Sequence, residues 1–103
     1  QMITLPEPIE FLWDKGNIDK NLVHGVSNEE VEEIFFDQEK RIGPDLKHST
    51  REQRQIVIGR TKTKRWLYVV ITIRDNKIRV ISARYMHKKE VKLYEEAFEN
   101  TKI

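Results

Sequence analysis

The chain contains no cysteine, and that absence removes a disulfide framework, a thiol nucleophile and the common zinc–thiolate sites. Its four glycines, at positions 16, 25, 43 and 59, never cluster, so the sequence holds no phosphate-cradling loop. The three histidines, His24, His48 and His87, lack the i, i+2 or i, i+4 spacing of a metal-binding pair. Neither a metal nor a cofactor is expected. No apolar run approaches the roughly 18–20 residues needed to cross a bilayer. The N-terminal residues, with Pro6, Glu7 and Pro8, show neither a basic n-region nor an apolar h-region. The expectation is a soluble, cytoplasmic protein that does not engage a membrane.

A chain of 103 residues, 38% hydrophobic and 35% charged, is long enough for one domain with one modest core. The net charge of +2 hides a segregation. Between Arg60 and Lys92, eleven Lys or Arg stand against Asp75 and Glu90 alone, whereas Ser27 to Glu39 carries six carboxylates and no Lys or Arg. A basic surface of this kind most often meets a polyanion, and nucleic acid is the commonest one.

Glu10 to Asp14 reads as a first strand, and Asn17 to His24 as a short helix stopped by Gly25. Ser27 and Glu30 have the spacing of a capping box, and Val26 and Val31 that of a hydrophobic staple. Val31, Ile34 and Phe35 then define the apolar face of a helix running to about Phe36. Gly43-Pro44-Asp45 marks a turn, and Leu46 to Glu52 a polar loop. From Gln55 to Tyr85 the pattern predicts a three-stranded meander, with connections at Thr61–Lys64 and Asp75-Asn76. In its central strand Leu67, Val69, Ile71 and Ile73 share an apolar face, and Trp66, Tyr68, Thr72 and Arg74 alternate on the other. Met86 to Asn100 reads as a closing helix with Val91, Tyr94, Ala97 and Phe98 on its apolar side. The fold class is α+β: an antiparallel β-meander packed against helices in a two-layer domain. The helices are expected to cover the Leu67 face and leave the Tyr68 face partly open.

Two kinds of function fit this surface: plain nucleic-acid binding, and RNA cleavage without metal. Cleavage needs a base for the 2′-hydroxyl proton, cations for the dianionic phosphorane and an acid for the departing 5′-oxygen. Arg60, Arg74, Arg79 and Arg84 are of the type that grips two phosphate oxygens at once. Trp66, Tyr68 and Tyr85 are of the type that stacks on unpaired bases. Against both stands the reading that arginines at strand ends are merely solvated.

Several blocks, taken in order, resemble the BrnT family. They are Phe11-x-Trp13-Asp14-Lys15-Gly16-Asn17, Lys20-Asn21, His24-Gly25-Val26 and Glu29-Glu30-Val31-Glu32-Glu33-Ile34-Phe35. Downstream follow Asp45-x-x-His48-Ser49, Glu52-x-Arg54, Ile58-Gly59-Arg60-Thr61, Arg79-Val80-Ile81-Ser82-Ala83-Arg84, Lys88-Lys89-Glu90 and Tyr94-Glu95. The likeness implies a RelE-like toxin of a type II toxin–antitoxin system, with residues 1–103 as a single toxin domain. It implies ribonuclease activity that arrests translation, and neutralisation by a BrnA-like antitoxin in a hetero-oligomer. Operator DNA would be reached only through that antitoxin.

Carried over by position, the family's active-site set falls on His24, Arg60, Arg79 and Arg84. The arginines would bind phosphate and stabilise charge, and His24, whose ordinary pKa is near neutral, would be the acid or base. Lys62, Arg65, Trp66, Tyr68, Arg74 and Lys88 are expected to bind RNA, and Glu10 or Glu52 could be the base. Strand parity sends Arg79 and Arg84 to opposite faces unless a bulge intervenes. One departure from the family matters: where a lysine usually precedes the His-Gly pair, Val23 occupies the place or a residue is missing. The alternative it raises is a catalytically weak nucleic-acid-binding or co-repressor subunit acting only with its antitoxin.

Overall fold

The computed structural model describes residues 5–47 and 52–101, with side chains described through residue 96. Within them an antiparallel sheet runs in the order β1 (Arg41–Pro44), β2 (Gln55–Arg60), β3 (Trp66–Arg74), β4 (Lys77–Tyr85). A 3-10 helix (Lys20–His24) and α1 (Asn28–Ile34) precede the sheet, and α2 (Lys88–Thr101) follows it. The α+β class and the closing helix are as the sequence predicts. His48 and the centre of the polar loop lie outside the described residues, as do the side chains of Ala97 and Phe98.

The local signals act as their chemistry dictates. Ser27 accepts from the Glu30 amide, Glu30 reaches back to the Ser27 amide, and the capping box is complete. Gly25 ends the 3-10 helix with φ 78°, a conformation open to glycine at little cost. Asp75 and Asn76 both take positive φ, 53° and 58°, and close the β3–β4 hairpin in two residues.

Three expectations need correction. Glu10–Asp14 is not a full strand: Phe11 makes one isolated parallel bridge to Ile78, with the Ile78 amide bonded to Glu10 O and the Leu12 amide to Ile78 O. Gly43-Pro44 is not a turn but the end of β1, a fourth strand paired to β2. Proline is tolerated there because β1 is an edge strand with no further neighbour to donate to. The predicted Asn17–His24 helix begins only at Lys20, because Asn17 is buried and its side chain serves other groups.

The core lies on one face of the sheet. Val57, Leu67, Val69, Ile71, Ile78, Val80 and Ala83 pack against Val26, Val31, Ile34 and Phe35 from the helical side. Phe11 adds its ring edge-on to Phe35, 5.1 Å between centroids. Ile73, expected in this face, is 37% exposed at the strand's far end. The closing helix also departs from expectation. Its Tyr94 packs edge-on against Trp66, which alternates with buried Leu67 and so belongs to the opposite face. Among the described residues, only α1, the 3-10 helix and the N-terminal segment cover the Leu67 side. Among the described residues no helix is long and apolar enough to cross a membrane.

Candidate functional site

The parity problem in β4 is solved by one extra residue. Val70 pairs with Ser82, but the next residue, Ile71, pairs with Val80, so Ile81 is left over as a β-bulge. Counted across the bulge, Ile78, Val80 and Ala83 point into the core, while Arg79 and Arg84 share the opposite face. Lys20 Nζ donates to the Ile81 carbonyl that the bulge leaves out of the ladder, at 3.3 Å.

That face, partly covered by α2 where Tyr94 meets Trp66, is open beyond the helix and is built in rows. Arg60 lies beside Trp66, Ile58 beside Tyr68 and Arg84, Ile56 beside Val70 and Ser82, and Thr72 beside Arg79. Arg74 and Lys77 close its far end. Two of the arginines rest on aromatic rings of the same face: Arg84 lies 4.5 Å from the Tyr68 centroid, and Arg60 5.5 Å from that of Trp66. Ile56, Ile58 and Val70 are half-buried and form an apolar strip among the cations.

The charge segregation of the sequence is cancelled locally by the fold. Arg79 pairs with Asp14 at 2.5 Å and is only 13% exposed. Arg60 bonds Glu39 at 2.9 Å and stands 3.6 Å from Asp37. Arg74 touches Glu52 at 3.4 Å. Arg84 grips both oxygens of Glu90, at 2.8 and 3.0 Å. The acids respond accordingly. Arg84 first, and the His87 amide second, bring the Glu90 carboxyl down to about 2. Arg79, helped by the Gly16 amide, holds Asp14 below its usual range. Burial works to raise Asp37, but the amides of Arg60 and Glu39 outweigh it and the net shift is downward.

The remaining candidates fall elsewhere. His24 is exposed at the end of the 3-10 helix, next to the Gly25 turn, and its ring has no described hydrogen-bond partner. The turn is fastened by Tyr85, on the core side of β4, whose hydroxyl lies 3.1 Å from Gly25 O and 2.8 Å from Glu30 Oε2. Burial and the Glu30 carboxylate raise the Tyr85 pKa. Arg65 stacks on the Tyr85 ring at 3.6 Å, and so leaves the Arg79–Arg84 face. Lys88 is exposed at the start of α2. Lys62 lines a cleft of about 810 Å³ between the end of α1 and the β2–β3 connection. Glu29, Glu32, Glu33, Asp37 and Glu39 form much of the wall of that cleft, an unfavourable place for a phosphate chain. Among the described residues no three His, Asp or Glu side chains gather as metal ligands do.

Sequence reasoning gave no role to Asn17 and Asn21, although both stand in the blocks that carry the family resemblance. They do the work of an absent strand beside β4. Asn21 Oδ1 accepts from the Ala83 amide at 3.0 Å, and Asn17 Nδ2 donates to the carbonyls of Val80 and Leu12. A buried asparagine 62 or 63 residues from its partner leaves no trace in local pattern.

A comparison with curated proteins finds no match. The family model described as the ribonuclease toxin BrnT of type II toxin–antitoxin systems matches residues 13–90, which include the bulged strand and every arginine of the open face. The chain therefore belongs to the BrnT family of ribonuclease toxins, whose type II systems pair a toxin with an antitoxin.

Proposed function

We propose that this protein is a metal-independent endoribonuclease of RelE-like fold, acting as a single domain in the cytoplasm, and that its open sheet face binds the RNA. One observation carries the reading: the bulge at Ile81 brings Arg79 and Arg84 to one face with Tyr68, Trp66, Arg60 and Arg74. Guanidinium groups there meet phosphate, while the Tyr68 ring and the Ile56–Ile58–Val70 strip meet base faces. Within this reading the 2′-hydroxyl attacks the adjacent phosphorus and the 5′-oxygen leaves. Arginines stabilise the dianionic phosphorane, a base (Glu10, Glu52 or His24) takes the 2′-hydroxyl proton and an acid supplies one to the departing 5′-oxygen, with His24 reaching in from the end of the 3-10 helix outside this face. Lys88 guides the strand from the periphery, whereas Lys62, in the acidic cleft, and Arg65, stacked on Tyr85, stand apart from it. A BrnA-like antitoxin would neutralise the toxin in a hetero-oligomer and carry it to operator DNA.

The test is cleavage of RNA by the purified protein in excess EDTA, together with growth arrest on induction without antitoxin. Loss of both in Arg79→Ala and Arg84→Ala, with the variants still folded, is the expected result. Cleavage that disappears in EDTA and returns with a divalent ion would overturn the metal-independent reading.

A second reading is favoured by Val23, which is 82% exposed beside His24 where the family usually has lysine. A co-repressor without strong catalysis would leave cells growing when expressed alone, and Val23→Lys would then restore arrest.

A further inference from the structure

The ion pairs that hold the four arginines of this face are not equivalent, Arg60 alone being shared between two acids, Glu39 and Asp37. Asp14 is also held by the Gly16 amide, and its partner Arg79 is almost buried. Asp37 accepts the amides of both Glu39 and Arg60, which ties it into the backbone. Glu52 meets Arg74 through one long contact. Glu90 alone offers two oxygens squarely to both terminal nitrogens of an arginine, the arrangement a phosphodiester would adopt on the same fork. The Tyr68 ring underlies the guanidinium, and the pair is reachable from solvent, with Arg84 36% and Glu90 34% exposed. Besides Arg84, Glu90, in the first turn of α2, accepts from the amide of His87 just before the helix, so the carboxylate travels with the start of α2.

We propose that Glu90 is a displaceable internal counter-anion on the Arg84–Tyr68 seat, and that a phosphodiester of single-stranded RNA takes this seat when the first turn of α2 moves aside. The inference rests on the open face being the RNA-binding face. It adds that the free protein holds its own competitor. Substrate phosphate exchanges for carboxylate on Arg84, whereas Arg79 keeps Asp14 throughout. The Tyr68 ring then supports both the guanidinium and the neighbouring nucleotide.

The experiment uses a fluorescent single-stranded 2′-O-methyl RNA, which binds but lacks the attacking hydroxyl. Its affinity is measured for wild type, Glu90→Gln, Arg84→Ala and the double variant, and for Arg60→Ala, Arg74→Ala and Arg79→Ala, with circular dichroism as the check on folding. Glutamine keeps the bond to the His87 amide and removes the charge, so the helix start survives. The expected result is binding roughly fivefold tighter for Glu90→Gln, the upper end for releasing a partly exposed ion pair. That gain should vanish in the double variant. Unchanged or weaker binding by Glu90→Gln, with Arg84→Ala weakened, would overturn the proposal and leave the RNA-binding face standing. Such a result would make Glu90 a positioning residue for Arg84. Binding indifferent to every arginine of the face would remove both.

Discussion

Asn17→Ala should unfold this protein more readily than any surface change of similar size. The Asn17 side chain is 3% exposed and makes three hydrogen bonds. It accepts from the Asp14 amide at 2.8 Å and donates to Leu12 O at 3.0 Å and Val80 O at 3.2 Å. Alanine leaves one amide and two carbonyls to find new partners at the edge of β4. At about 1 kcal/mol net per bond, the loss is about 3 kcal/mol. For a domain of this size that lowers Tm by about 10–20 °C. Urea titration is the assay, and the midpoint should fall while the slope stays constant. Asn17→Asp is the sharper control. It keeps the acceptor for the Asp14 amide but sets a carboxylate against two carbonyls, so it should cost at least as much at neutral pH. A loss below about 1 kcal/mol for Asn17→Ala would refute the reasoning, because water would then be repairing the edge unaided.

Two further outcomes follow from the same packing. A β-carbon on Gly59 would lie 3.0 Å from both the β-carbon and the carbonyl oxygen of Ile34. Gly59→Ala should therefore push α1 off β2 and cost about 1–3 kcal/mol in urea unfolding. Equal stability would mean that the end of α1 gives way freely. Glu90 titrates at about 2 in the folded chain against an ordinary 4.5. Its contribution to stability is complete above the ordinary value and fades as pH falls toward 2. An acid titration of Glu90→Gln should show a shallower loss of stability in that window than wild type, and parallel curves would contradict the ion pair.

Local chemistry was readable wherever the signal was short in range. The Ser27–Glu30 box, the Gly25 stop and the Asp75-Asn76 turn each involve neighbours, and each formed as expected. Strand β1 was missed because four residues ending in proline resemble a turn, and only pairing with β2 makes them a strand. The Arg60, Arg79 and Arg84 positions were identified by family resemblance, but their partners were not. Asp14, Asp37 and Glu39 lie 21 to 65 residues away from the arginines they face. Charge counted along the chain cannot register pairs that only the fold creates.

The bulge is the clearest case of a short feature with a long reach. Without the bulge, with Ile81 paired in a regular ladder, Arg79 and Arg84 would alternate onto opposite faces, and one of them would enter the core against Ile34 and Phe35. An unpaired arginine there would cost far more than any ion pair returns. With it, both remain on the open face, and the carbonyl freed by the bulge is met by Lys20 from the 3-10 helix that ends at His24. The bulge thus links two parts of the proposed chemistry, setting the arginine row and anchoring the segment that presents the histidine. Lys20 and His24 stand at the two ends of that helix. In that arrangement Arg79, fixed by Asp14, is suited to hold the chain in register. Arg84, whose counter-ion sits on a separate helix, is the cation free to change partners.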